Sequence, residues 1–397
     1  MKLILLFATI FIMLPVFALD YGIDRLQEFE VAEKLKGKRL AALTHAAGRS
    51  KDGLHLIDIL HQNFTLKKIF APEHGLRTMA DDWVEDGQDE RTGLPVISLY
   101  KRGTRAPRAE DLKSIDAIVI DLQDVGVRYY TYFSTIAEVM KAAAPLKIEV
   151  IILDRPNLLG GQVIEGKVLD KELAGHFTAQ HTIPTRHGMT LGELAQMINA
   201  ENNLGTQLSI IPVRGWKREH LLSQLDREWL APSPALVNLD QVALYALWGS
   251  LENFNLAVGR GQTNEEAFRV LGAPWISSVE AQELAVELNR LQFSGLEFKT
   301  HQWKVTRALY VGQEAFGVKI SGNFNQIRTD EFTYKTSLVL VSKFKDRLSM
   351  NQIFPQIYGS QKLVEAIRRQ EQWEKTRLII DQELKIFAQR RRPFLLY

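Results

Sequence analysis

Pro72-Glu73-His74-Gly75 sets a carboxylate beside an imidazole where an apolar run, Ile69-Phe70-Ala71, stops. Proline fixes φ and ends the run, and glycine lets the chain turn away without a Cβ clash. Glu73 would then project from a rigid base at the rim of an apolar sheet. A carboxyl there loses water and its pKa rises, which is what a general acid needs near neutral pH. The same side chain would equally serve as a loop partner for Arg77 or for a backbone amide. His74 has two uses of its own, orienting Glu73 or binding a metal. His45, His55 and His61 lie in the same half of the chain, but no HExxH or comparable ligand spacing accompanies them. No metal and no cofactor is assigned.

A second polar segment, DLQDVGVRYY, occupies 121–130. Asp121, Asp124, Gln123, Arg128, Tyr129 and Tyr130 are the types that bind a carbohydrate. Carboxylates and amides take hydroxyls, rings stack on sugar faces, and a guanidinium grips an acidic substituent through paired hydrogen bonds. Internal Asp–Arg pairing with tyrosines in the core is the plainer use of the same residues. Asp154 and Arg155 present the same choice. Thr190 with Glu193 three residues on forms a capping box, and Arg186 and His187 precede that helix, placed to face a cleft. In the second half, Glu252, Asn255 and Arg260 are candidate cleft residues. The glycines flanking Arg260 suit close approach of backbone to a ligand. The lysine and hydroxyl residue of a phosphate loop are missing there, and no GxGxxG follows the first strand. Ser98-Leu99-Tyr100-Lys101 matches SxxK, but it sits in a strand-like run and has no KTG companion.

The elements that must hold these residues alternate in the first half. Short apolar runs at 40–43, 69–71, 96–99, 117–122 and 149–153 read as strands, with helical spacing at 53–61 and 132–144. β-Branched runs separated by helices indicate a parallel sheet covered on both faces. Such sheets place their chemistry outside the carboxyl ends of the strands. The loops found there carry His45, Glu73-His74, Tyr100, 121–128 and Asp154-Arg155. One more strand is expected at 208–213. Beyond it come helices at 239–248, 279–291, 332–344, 361–368 and 373–384, with strands at 298–305 and 316–320. The expected fold is a Rossmann-like parallel-sheet domain over 19–215, followed by a smaller α/β (α+β) domain over 216–397.

The 397 residues are enough for two domains with a full core, and the formal net charge of +2 gives no sign of a nucleic-acid partner. The basic run Arg390-Arg391-Arg392 reads as a solvated helix end, favoured by the local dipole. Residues 1–18 read as a secretory signal: Lys2, an apolar core, and Val16-Phe17-Ala18 before a cut at Leu19. Export to a periplasm or outside the cell is expected, with no stable membrane span once the leader is removed. There is no cysteine, so disulfides and thiolate chemistry are excluded.

Several of these segments together resemble the NamZ family of exo-β-N-acetylmuramidases. They are FAPEHGLR at 70–77, RTGLPVISLY at 91–100, DLQDVGVRYYTY at 121–132, LDRPNLLGG at 153–161 and RHGMTLGELA at 186–195. GRG at 259–261, GAPW at 272–275 and the terminal FLLY complete the set, in order over nearly the whole mature chain. The resemblance implies a Rossmann-like domain, a smaller α/β domain and an active site between them. It implies release of N-acetylmuramic acid (MurNAc) from non-reducing ends of peptidoglycan fragments, typically MurNAc–GlcNAc. It also makes Glu73, in the PEHG motif, the catalytic glutamate. His74 would then tune or orient it, Arg128 or Arg155 would hold the lactyl carboxylate, and tyrosines at 129, 130 or 132 would contact the sugar. The second catalytic group stays open among Asp121, Asp124, Glu252 and the substrate's own acetamido group. The chain departs from the family pattern at Thr78-Met79-Ala80, at Gln262 after GRG, and at Leu251-Glu252-Asn253-Phe254-Asn255. Rival readings are a metal-dependent amidase or deacetylase on cell-wall fragments, and a non-catalytic muropeptide-binding protein. Oligomeric state is not read from the sequence.

Overall fold

In the computed structural model the described residues are 19–77, 85–101, 103, 105–220, 227–259, 261, 263–307, 309–324 and 327–397. The leader at 1–18, the Thr78-Met79-Ala80 segment, Arg260 and Gln262 lie outside them.

Seven strands make the first sheet: β1 (Arg39–Thr44), β2 (Thr65–Ala71), β3 (Gly87–Gln88), β4 (Pro95–Ser98), β5 (Ala117–Asp121), β6 (Glu149–Leu153) and β7 (Leu208–Ile211). Their order is β3-β4-β2-β1-β5-β6-β7. All neighbours are parallel except the short edge strand β3, which runs antiparallel to β4. Every residue of β5 is buried, as expected for a strand covered on both faces. The helices Leu56–Asn63, Tyr132–Ala143 and Leu191–Glu201 make the crossovers from β1 to β2, β5 to β6 and β6 to β7. The chain runs outward from β1 to one side, returns, and builds β5 to β7 on the other side. The order therefore reverses between β1 and β5, where open α/β sheets form their crevice.

The second sheet has three antiparallel strands, β8 (Val270–Ala273), β9 (Leu296–Lys304) and β10 (Glu314–Gly322), in the order β8-β10-β9. β8 falls on the GAPW segment, where no strand was expected; Leu271, Gly272 and Ala273 are too short and small a run to signal one. The helices Leu239–Trp248, Ser278–Asn289 and Thr329–Phe344 pack on this sheet, and Gln361–Arg368 and Trp373–Arg390 follow. No described helix is long and apolar enough to cross a membrane.

Several contacts bind the parts together. Arg128, from the loop after β5, is fully buried and donates to the carbonyls of Lys167, Ile183 and Ile357. The chain then returns to the first sheet, where the Tyr397 hydroxyl donates to Asp154 Oδ2 at 2.7 Å and accepts from the Val213 amide at 2.9 Å. The expectation of a solvated Arg390–Arg392 run is corrected here. Arg391 is buried, and its Nη1 donates to the carbonyls of Gly161, His187 and Gly188. Gly161 and Gly188 also accept from Arg218, and a guanidinium supplies several N–H groups at once, so the two arginines together satisfy these turns.

Candidate active site

β2 ends at Ala71, and the PEHG turn follows with His74 at φ 71° and Gly75 at φ 84°. Two consecutive left-handed residues reverse the chain sharply. For a non-glycine residue this is a strained conformation of the kind concentrated at functional sites. The turn is closed by the Gly75 amide donating to the Pro72 carbonyl at 3.2 Å. Glu73 is half-buried, and its Oε2 accepts from Thr131 Oγ1 at 2.5 Å. The hydroxyl of Tyr100 also donates to the Glu73 carboxylate; burial first, then that carboxylate's charge, hold the phenol above its ordinary pKa. Tyr100 follows β4 and Thr131 follows β5, so three strand ends converge on one carboxyl group.

Glu73 opens onto a cavity of about 400 Å³ between the two sheets, within the size range of small-ligand sites. His74, Tyr100, Arg105, Tyr129 and Tyr130 line it from the first part of the chain; Tyr245, Glu252, Asn253 and Phe268 line it from the second. The aromatic wall is continuous. Tyr129 and Tyr245 meet edge to face at 5.1 Å, and Tyr245 and Phe268 at 5.0 Å. Tyr130 and Tyr132 both donate to the Pro232 carbonyl at 2.9 Å, which fixes the 232–236 wall of the cleft. A cleft with carboxylates, hydroxyls and ring faces is built to hold a sugar.

The other expected site residues separate into two groups. Glu73, His74, Tyr129, Tyr130 and Glu252 line the cleft. Asp121 and Arg155 instead form a buried two-bonded pair, 2.5 and 2.8 Å, and Arg155 also donates to the Arg49 carbonyl. Asp124 is buried, accepts the Gly126 amide at 2.7 Å, and lies 3.7 Å from His187 Nε2. Asp154 is the buried acceptor of Thr190, Gly192 and Tyr397. Arg186 donates to the Leu159 carbonyl and pairs with Glu165, and His187 Nδ1 accepts the Met189 amide. Arg128 is spent on its three carbonyls. Asn255 pins the loop to Arg347 and Ser349, and Asn253, two residues earlier, faces the cleft in its place. The glycines around position 260 pack closely against protein. A Cβ on Gly259 would meet Glu252 Oε1 at 2.3 Å, and one on Gly261 would meet Glu266 at 2.1 Å.

The histidines near β1 are structural. His55 caps the helix Leu56–Asn63, and its Nε2 donates to the His45 carbonyl at 3.0 Å. His45 Nε2 accepts the Gln123 amide, and its Nδ1 lies 3.4 Å from the Tyr132 hydroxyl. Burial holds both rings neutral, His55 down to about 4. Among the described residues, no group of three His, Cys, Asp or Glu is arranged to hold a metal ion. A second cavity of about 310 Å³ lies by the loop after β1, with Arg155 and Arg227 in its wall. These two cations are already paired, with Asp121 and Asp24.

Arg105, Thr131, Phe177 and Tyr245 were not among the expected site residues. Thr131 directly follows the tyrosines of the second polar segment, a nearness that could have flagged it. Phe177 lies in an irregular stretch over 100 residues from Glu73 and carries no local signal.

Fold and site together define a two-domain α/β glycosidase. The chain matches two family models, the N-terminal and C-terminal parts of exo-β-N-acetylmuramidase NamZ, over residues 40–240 and 243–397. It belongs to the NamZ family. The peptidoglycan β-N-acetylmuramidase NamZ of Bacillus subtilis (strain 168) is 34% identical to it over 384 residues, 95% of this chain and 91% of that one. A crystal structure of a DUF1343 family protein from Bacteroides fragilis NCTC 9343 aligns with a TM-score of 0.85 at 32% identity, covering 96% of this chain and 99% of that one. A second DUF1343 family protein from the same strain aligns at 0.74 and 25% identity, with the same coverage.

Proposed function

We propose that this protein releases N-acetylmuramic acid from the non-reducing end of peptidoglycan fragments such as MurNAc–GlcNAc, with Glu73 as the general acid. One observation carries the assignment. Glu73 is the carboxyl group that a strained turn presents to the aromatic cleft while two hydroxyls fix its position. A hydroxyl donates to a carboxylate and can turn to accept from a carboxylic acid. Thr131 and Tyr100 therefore hold Glu73 in place both before and after it gives its proton to the departing sugar oxygen. His74 shapes the turn through its left-handed backbone. Of the carboxylates considered for the second role, Glu252 is the one in the cleft wall; the buried positions of Asp121 and Asp124 set them apart.

Glu73→Gln keeps the shape and removes the proton donor. It should lower MurNAc release from MurNAc–GlcNAc by roughly 10³-fold, within the range of general-acid effects, with thermal unfolding unchanged. Near-normal turnover in that variant would remove the assignment. Export belongs to the same proposal. Leu19 is buried and Asp20 bridges to Arg214, so a mature chain starting at Leu19 would be anchored from its first residue. Amino-terminal sequencing of protein from the native host should begin at Leu19; a start at Met1 would refute cleavage there.

A further inference from the structure

Muramic acid differs from glucosamine by a 3-O-lactyl group, which adds a carboxylate ionised at neutral pH. That carboxylate must enter a cleft that Glu252 also lines, and a guanidinium is the side chain that grips a carboxylate through paired hydrogen bonds. The arginines of the polar strand-end segments cannot supply it: Arg128 is committed to three carbonyls and Arg155 to Asp121. Among the described lining residues, Arg105 is the one lysine or arginine. Its guanidinium carbon lies 4.3 Å from the Tyr100 ring centroid and 5.1 Å from that of Phe177. Its Nη1 donates to the Lys101 carbonyl at 2.9 Å. Stacking engages the faces of a guanidinium, while its N–H donors point outward in the plane, where they meet a carboxylate side-on. The ring beneath it is Tyr100, whose hydroxyl holds Glu73. Anion recognition and acid catalysis thus meet on one aromatic side chain.

We propose that Arg105, braced by Tyr100 and Phe177, binds the lactyl carboxylate and sets the preference for muramic acid over glucosamine. This rests on the muramidase reading above and adds the residue that selects the substrate. Three substrates test it: the 4-nitrophenyl β-glycosides of MurNAc, of MurNAc with its lactyl carboxyl as the methyl ester, and of GlcNAc. Wild-type enzyme should prefer the free acid to the ester. In Arg105→Met, kcat/KM for the acid should fall roughly 10- to 100-fold, mostly through KM, as for loss of a hydrogen-bonded charge. The ester should change by less than about threefold, since it lacks the charge that Arg105 would meet. Arg105→Lys should recover part of the loss. Phe177→Leu, which loosens the brace without touching the charge, should raise KM for the acid alone and serves if Arg105→Met does not fold. A purely structural role would lower acid and ester together, and an unchanged acid-to-ester ratio in both variants would overturn the proposal. Failure of wild-type enzyme to cleave either muramic substrate would instead overturn the muramidase reading, and this proposal with it.

Discussion

The carboxyl ends of β2 and β4 and those of β5 and β6 carry similar residues at equivalent places in one sheet, yet they do opposite things. At the first pair, Glu73, Tyr100 and Arg105 face a cavity. At the second, Asp121, Asp124 and Asp154 are closed in and accept from nearby donors: Arg155, the Gly126 amide, and Thr190 with Tyr397. The difference lies in what packs above the strand ends. The segments 155–161 and 186–193, together with the returning chain at 391–397, roof the β5–β6 side. On the β2–β4 side the described residues leave a cavity, walled by Phe177 and Thr178 and by residues of the second domain. An acid, an arginine and a tyrosine at a strand end become a site where a cavity opens beside them and a clamp where other segments close over them.

That contrast can be broken by experiment. The largest divergence should be between Glu73→Gln and Asp121→Ala. The first lowers turnover by roughly 10³-fold and leaves the fold intact. The second strands the buried Arg155 guanidinium and should cost about 3–5 kcal/mol of stability, while the fraction that stays folded turns over at the normal rate. Urea unfolding alongside turnover per folded molecule separates the two outcomes. A stable but inactive Asp121→Ala would return Asp121 to the catalytic machinery and erase the distinction.

A smaller effect belongs to Asp154. Burial lifts its carboxyl from the ordinary 3.8 up to about 6, against the pull of its three donors. The native state therefore keeps a proton that the unfolded chain gives up, and stability should decline as pH rises from about 4 to about 6, by about 3 kcal/mol, then level off. Asp154→Asn cannot ionise and should flatten that interval in urea midpoints taken across pH. A slope unchanged in the variant would place the titration elsewhere.

Much of this was legible in the residues. The buried AIVID strand, the capping box at Thr190 and the PEHG turn each declare themselves over a few positions, because strand burial, cap geometry and left-handed turns are local requirements. The strand-end rule led to the right rim of the sheet. It could not say which rim residues would be roofed, since Arg128 and Asp154 are satisfied by groups from Ile357 and Tyr397, more than 200 residues away. Arg391 was misread for the same reason: its carbonyl partners lie more than 200 positions earlier. Arg105 carried no motif because its role comes from two rings brought together by the fold.

The bond from Tyr397 to Asp154 spans 243 positions. A change at position 397 is therefore felt at the end of β6: losing its hydroxyl removes one of the three donors to Asp154 and the acceptor of the Val213 amide, so two parts of the chain far apart in sequence would loosen together.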